Sequence, residues 1–313
     1  MSPVEILMVG PYPEWDMADL ENRYVVHKLW QAADRDSFPG ASAKNVRAIA
    51  TRGELGASAD LMRRFPNLEI VSCYGVGTDA IDLEYARAKG IRVTNTPGVL
   101  TEDVADLGIA LLLATARQVP QGDAYVRNGE WAKANMALTT RFCGKKLGIA
   151  GMGRVGQALA RRAVSFDCAV SYFGRKPIAD LPYRFFPDLT ALAAEVDFLV
   201  IALAGGEGTR NIVDARVLDA LGPEGIFVNI SRGTTVNEPD LLDALENRRI
   251  RGAGLDVFWH EPAIDPRYLA LDNVVLQPHH ASGTVETRKA MGQLVRDNLA
   301  AHFAGRPLLT PVV

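Results

Sequence analysis

Short apolar runs recur along the chain, each closed by glycine, proline or charge, and between them lie stretches whose apolar residues return at helical spacing. Runs of the first kind read as buried strands and stretches of the second as amphipathic helices. Residues 6–9, 46–49, 68–72 and 91–94 are predicted strands. Helices are expected around Leu20, Tyr24, His27 and Leu29, running to about Trp30, and at 59–64 and 83–89, with His27 a surface or packing residue. A second series of strands is predicted at 147–150, 169–173, 198–203, 226–229, 254–256 and 274–276, again separated by helices. Strands that alternate with helices pair in parallel, so the expected fold class is α/β with two doubly wound parallel-sheet domains. A helix from about Val285 to Phe303 carries the chain back to the first. The expected division is therefore 1–96 with 286–313, and 97–285.

The second domain opens on a glycine pattern, Gly151-Met152-Gly153-Arg154-Val155-Gly156, between the strand 147–150 and a helix marked by Val155, Ala158, Leu159, Ala163 and Phe166. In that setting Gly151 permits a tight turn, Gly153 lets a pyrophosphate approach the backbone, and Gly156 lets helix pack on strand. The N–H groups at the helix start then face the phosphates. The region 97–285 is accordingly read as a Rossmann dinucleotide-binding domain inserted in a flavodoxin-like substrate domain. An acidic residue that would hold a ribose 2′-hydroxyl is expected roughly 20 residues beyond such glycines. Here the second strand runs instead into Gly174-Arg175-Lys176-Pro177. Arg175 can grip a 2′-phosphate with paired N–H donors and Lys176 adds a point charge, so NADP(H) is the expected cofactor and NAD(H) the weaker one. A solvated basic turn is the plainer alternative.

Two further stretches carry expectations. Tyr74-Gly75-Val76-Gly77-Thr78-Asp79 follows the strand 68–72, where exposed backbone N–H groups suit an anion such as a substrate carboxylate; a simple turn into the next helix is the other reading. Residues 99–118 form a long, almost wholly apolar helix, capped by Thr101 or Asp103, which should be buried on every side and suggests a subunit interface, expected to be that of a homodimer, or the seam between the domains. The segment 127–142 is expected to be a loop.

Three more strand ends bear reactive side chains. Ile230-Ser231-Arg232-Gly233 follows 226–229, Glu261-Pro262 follows 256–259, and Pro278-His279-His280 follows 274–276. Carboxyl ends of parallel strands are where α/β sheets place ligands. There an arginine can clamp a carboxylate, a histidine can carry a proton, and a glutamate can hold the other ring nitrogen, which are the roles that hydride chemistry at a ketone requires.

Composition narrows the classes. Over 313 residues, 48% are hydrophobic and 23% charged, as in an ordinary globular protein, and 34 basic against 37 acidic residues give a net charge of −3 without a basic block, so nucleic acid and anionic membranes are not expected partners. Cys73, Cys143 and Cys168 are widely separated, which argues for packing residues in a reducing compartment rather than a disulfide framework. The N-terminal segment MSPVEILMVGPYPEW shows neither a leader nor a membrane span, no metal-ligand spacing is read, and a cytoplasmic location is expected.

Over nearly its full length the chain resembles the D-isomer-specific 2-hydroxyacid dehydrogenases. The motifs are GVGTDAID, NTPGVLTEDVAD, GIAGMGRVGQALARR, NISRG, GAGLDVF followed by EP, and PHHASGTVETR, in the family's order. LTTRFCGKKLGI, SYFGRKP and the terminal PLLTPVV are similar to its glyoxylate/hydroxypyruvate reductases. The resemblance implies reduction of small 2-oxo acids such as glyoxylate and hydroxypyruvate to D-2-hydroxy acids. It implies that Arg232 binds substrate, that Glu261 and His279 form the proton-donating pair, and that Val76 and Gly77 receive the substrate carboxylate. Gly151, Gly153, Arg154, Val155, Gly156, Gly174, Arg175, Lys176, Ile230, Asp256 and His279 would line the cofactor, Asp256 at the nicotinamide carboxamide. Two departures are visible: Ala204-Gly205-Gly206 stands where many members have Pro and Thr, and His280 adjoins His279 where an apolar residue is commoner. A nucleotide-sensing corepressor-like binding protein and a phosphoglycerate dehydrogenase are the alternatives, both disfavoured by the absence of added tails or a regulatory domain.

Overall fold

The computed structural model describes residues 3–313; Met1 and Ser2, where the expected first domain and the segment read for a leader begin, lie outside the described residues. The chain separates into two compact units, Met1–Leu100 with Gly283–Val313, and Thr101–Ser282. The divisions expected from sequence fall a few residues before the first of these crossings and a few after the second.

The first unit holds strands β1 (Glu5–Met8), β2 (Val25–Lys28), β3 (Val46–Arg52), β4 (Ile70–Tyr74) and β5 (Arg92–Thr94). All pair in parallel in the order β2-β1-β3-β4-β5, the flavodoxin-like arrangement. Their centres are fully apolar: Leu7, Ile49, Val71 and Val93 are each 0% exposed, which is why short runs without alternation marked them. One expectation is corrected. The first helix spans Glu14–Arg23 and stops there, and Tyr24 to Lys28 is extended. Val25 and Val26 favour a pleated backbone, and β1 offers a free edge on which they pair. His27 thus lies on a strand, its Nε2 2.7 Å from Glu5 Oε2.

The Val285–Phe303 helix is tied to the Glu14–Arg23 helix by an ion pair between Arg296 and Asp16, 7% and 0% exposed. Burial pushes the Asp16 carboxyl up and the Arg296 guanidinium opposes that shift. Gly292 is required here, because a Cβ would collide with the Asp16 carboxylate.

The second unit holds β6 (Lys146–Ala150), β7 (Ala169–Phe173), β8 (Arg184–Phe186), β9 (Phe198–Ile201), β10 (Ile226–Asn229), β11 (Gly252–Leu255) and β12 (Val274–Leu276). They form a seven-stranded parallel sheet in the order β12-β11-β10-β9-β6-β7-β8, whose reversal between β6 and β9 is the Rossmann switch point. Strand β8 was not anticipated. The long apolar helix spans Thr101–Arg117, and it is not buried on every side. Val104, Gly108, Leu111, Leu112 and Thr115 face inward, whereas Glu102 and Asp106, one turn apart, are exposed and meet Arg162 at 2.8 and 2.5 Å. Gln118, with φ 50°, ends the helix, and a second one follows at Val119–Arg127. Arg127 closes that helix, and residues 128–142 are irregular apart from one 3-10 turn, Glu130–Ala132. Cys73 and Cys168 are buried, as packing residues should be, but Cys143 is exposed; all three are free thiols.

Removing one partner of a buried ion pair leaves an uncompensated charge, so Arg296→Met is expected to destabilise the protein by about 3–5 kcal/mol in urea unfolding. A second change, Asp16→Asn, is expected to recover part of that loss.

Candidate active site

Three loops of the second unit converge through hydrogen bonds that the sequence only partly advertised. After β10 the side chain of Asn229, 1% exposed, turns the chain: its Oδ1 accepts from Ser231 N at 3.0 Å and Ser231 Oγ at 2.8 Å, and its Nδ2 donates to Arg232 O at 2.9 Å. Thr235 Oγ1 donates to the same carbonyl at 2.7 Å. Gly233 fits because a Cβ there would strike the Phe258 carbonyl. Arg232 is thereby fixed at the strand end, its Nη1 donating to Ser231 O at 2.8 Å. Asn229 and Thr235 were not singled out from sequence, although an Asn at a strand end is a familiar turn-former.

Glu261 and His279 meet directly. Glu261 Oε2 lies 2.6 Å from His279 Nδ1, and Oε1 accepts from Phe258 N at 2.8 Å. Burial raises the Glu261 carboxyl, but the bond and charge of His279, the Phe258 N–H and the charge of Arg232 outweigh it and hold the group below the usual carboxylate range. The carboxylate on Nδ1 leaves Nε2 as the ring's outward nitrogen, and the side chain keeps 34% of its surface exposed.

His279 sits at φ 51°, in the left-handed region that a β-carbon disfavours by roughly 1–2 kcal/mol. Asp256 holds it there. The Asp256 carboxylate is 1% exposed, and its Oδ1 and Oδ2 accept from His280 N at 2.7 Å and Ala281 N at 3.1 Å. Its backbone carbonyl also accepts from His279 N at 2.8 Å. Burial pushes the Asp256 carboxyl up, against those two N–H groups and the charge of His279. Both oxygens of the residue expected at a nicotinamide are therefore already engaged by the turn that carries the histidine. His280 shares that turn through its backbone but its side chain is exposed and has no part in the Glu261 pair.

The glycine pattern can be tested against the space around it. Gly151 has φ 99°, and a Cβ there would lie 2.7 Å from Ala202 O; a Cβ on Gly156 would collide with Gly151 O. A Cβ on Gly153 would meet nothing within 4 Å. Two glycines are thus demanded by the protein itself and the third is not, which fits a position kept open for an approaching phosphate. The Arg154–Val164 helix begins at Gly153 with no side-chain cap, so the N–H groups of Arg154, Val155 and Gly156 are left to such a ligand. The Ile230 side chain is 7% exposed, packed toward Gly108, so any ligand contact there is through its backbone. Gly174, Arg175 and Lys176 follow β7 directly, and among the described residues no carboxylate pairs with either cation, both of which are exposed. Ala204 and Gly206 carbonyls accept from Thr209 Oγ1 at 2.7 and 3.1 Å, which closes the loop after β9 without proline.

In the first unit, Gly75, Val76 and Gly77 follow β4. Their carbonyls accept from Thr96 N at 2.9 Å, Asn95 Nδ2 at 2.8 Å and Cys73 Sγ at 3.5 Å. Among the described residues nothing accepts from the Val76 or Gly77 N–H, so two donors remain for an anion.

Comparison with known proteins bears on this arrangement. Residues 109–281 match the model of the D-isomer specific 2-hydroxyacid dehydrogenase NAD binding domain. The chain is 47% identical to a hydroxyphenylpyruvate reductase of Plectranthus scutellarioides and 46% identical to a glyoxylate/hydroxypyruvate reductase of Arabidopsis thaliana, over 100% of both chains in each case. A crystal structure of an NADPH-dependent glyoxylate/hydroxypyruvate reductase from Sinorhizobium meliloti, solved with NADP and malonate, has a TM-score of 0.94 and 41% identity, covering 100% of this chain and 97% of that one.

The glycine geometry separates packing from ligand contact. Gly153→Ala is expected to leave the melting temperature within about 2 °C while weakening dinucleotide binding tenfold or more, whereas Gly156→Ala lowers both. Calorimetric titration beside thermal unfolding checks this, and equal behaviour of the two variants would contradict the distinction.

Proposed function

The chain belongs to the D-isomer specific 2-hydroxyacid dehydrogenase family, and from that footing we propose that it reduces small 2-oxo acids, glyoxylate and hydroxypyruvate among them, to D-2-hydroxy acids with NADPH in preference to NADH. The observation that carries this reading is the Glu261–His279 pair, 2.6 Å apart between two loops of the nucleotide-binding unit. The relatives' names agree on the reacting group, a 2-oxo acid, and differ in the rest of the substrate. Full-length likeness to reductases favours an enzyme over a corepressor-like binding protein.

Gly151, Gly153, Gly156 and the N–H groups of Arg154 and Val155 suit the pyrophosphate, Gly174, Arg175 and Lys176 the 2′-phosphate, and Ile230, Asp256 and His279 the nicotinamide end. When bound, the nicotinamide supplies the hydride that the substrate's carbonyl carbon accepts. Arg232 offers a planar fork of donors to the substrate carboxylate, a geometry that lysine does not reproduce. In the first unit, Val76 and Gly77 offer N–H donors for a carboxylate. His279 gives its Nε2 proton to the carbonyl oxygen as negative charge builds there, and Glu261 orients the ring and balances the charge it carries until the proton leaves. The turn held by Asp256 fixes where that proton stands.

Two further readings follow from the surface. The apolar side chains of Val119, Val126, Trp131 and Leu138 are 55%, 55%, 64% and 99% exposed just beyond the Thr101–Arg117 helix, which supports a homodimer formed through that helix and the segment after it. Sedimentation should give a dimer at micromolar concentration, and a monomer there would exclude it. Three free thiols support a reducing, cytoplasmic setting. Among the described residues no helix is long and apolar enough to cross a membrane.

Oxidation of NADPH with hydroxypyruvate tests the proton donor. His279→Ala is expected to lose about 10²–10⁴ in kcat and His280→Ala far less; the reverse order would move the acid to the neighbouring residue. The Glu261 carboxyl is depressed, so its charge is complete above the usual carboxylate range and is lost only as pH falls through the lower folded value. Glu261→Gln removes that charge at every pH. Its expected signature is a lower kcat and an alkaline limb of reduction displaced to lower pH, and superimposable limbs would dissolve the pair.

A further inference from the structure

Strand β7 ends at Tyr172-Phe173, and β8 does not begin until Arg184. The intervening residues 174–183 include Arg175 and Lys176. Outside the strand ladder and a tight turn at Ala179–Asp180, no backbone–backbone hydrogen bond ties these residues to the rest of the described chain. Pro177 has no N–H to contribute, and Asp180 stands at φ 63°. Among the described residues one side-chain hydrogen bond tethers the loop: Ile178 N donates to Tyr172 Oη at 2.8 Å. Tyr172 is otherwise a core residue, 1% exposed, its ring 5.4 Å from that of Phe185. Its hydroxyl accepts that bond across the basic turn, so Arg175 and Lys176 lie inside the loop that the bond closes.

We propose that the Tyr172 hydroxyl is a positioning group for the 2′-phosphate of the cofactor, and so a determinant of the choice between NADPH and NADH. The inference rests on the reading that Arg175 and Lys176 take that phosphate. Two long cationic side chains on an untethered loop lose backbone as well as side-chain freedom when they close on an anion. The Tyr172–Ile178 bond removes the backbone part of that loss in advance. A ligand without the 2′-phosphate draws nothing from the arrangement. Tyr172→Phe keeps the ring, its volume and its packing, and deletes only the acceptor of the Ile178 N–H.

Calorimetric titration of the full chain with adenosine 2′,5′-bisphosphate and with adenosine 5′-phosphate isolates the effect from catalysis. The unmodified protein should bind the bisphosphate more tightly, and Arg175→Ala should abolish most of that preference. Tyr172→Phe is expected to weaken the bisphosphate about three- to tenfold, the span of one net hydrogen bond, and the monophosphate by less than about twofold. Equal binding of both ligands by the unmodified protein, or an Arg175→Ala variant that keeps the preference, overturns the phosphate reading and the inference with it. A selective Arg175→Ala loss with no selective Tyr172→Phe loss overturns the role of Tyr172 alone. Amide exchange supplies a readout that needs no variant to fold: Ile178 should be protected in the unmodified protein, and rapid exchange there would remove the tether.

Discussion

The Asp256 carboxylate, buried and closed on the N–H groups of His280 and Ala281, is the constraint on which the second unit's chemistry depends. A histidine at positive φ is not a resting place for the chain, and something must over-determine it. The two carboxylate bonds and the bond from His279 N to the Asp256 carbonyl do so from one residue at the end of β11. With the turn so fixed, Nδ1 faces Glu261 and, on the proposed function, the opposite nitrogen is left for substrate. Asn229 performs the same service at the end of β10, where its amide ties the turn that presents Arg232. Arg232 and His279 are thus held in place by buried polar groups, Asn229 and Asp256.

The nucleotide end obeys the same economy with different means. Gly151 and Gly156 are dictated by close approach of protein backbone, Gly153 by the space left for something else, and no side chain caps the helix between them. Phosphate binding here relies on what has been kept out of the way. The basic turn after β7 is the exception: on the proposed reading it projects long side chains from a loop, and Tyr172 Oη accepts from Ile178 N within that loop.

Much of this was legible in the sequence, for physical reasons that also explain what was not. Central parallel strands are buried on both faces and read as uninterrupted apolar runs, so β6, β9 and β10 stood out. Edge strands carry half that signal: β2, with Val-Val-His-Lys, passed for the end of a helix, and the three-residue β8 was missed. The apolar centre of the Thr101–Arg117 helix masked Glu102 and Asp106, whose partners lie far along the chain. Arg232, Glu261 and His279 were marked by their places at strand ends. The residues that hold them, Asn229, Thr235 and Asp256, act through bonds to backbone atoms, which leave no spacing in the sequence. Tyr172 looked like core and is core, and the bond its hydroxyl accepts from Ile178 N leaves no mark in the sequence.

The most direct measurement of the account is the Asp256→Asn variant, which replaces one of the two acceptors by an amide donor and leaves volume and packing nearly unchanged. Reduction of hydroxypyruvate by NADPH should fall about a hundredfold in kcat, as expected when a proton donor is displaced by roughly an ångström, while the dissociation constant of NADPH stays within about threefold. An unchanged kcat, or a loss confined to cofactor affinity, would contradict the claim that Asp256 acts by holding the histidine in place.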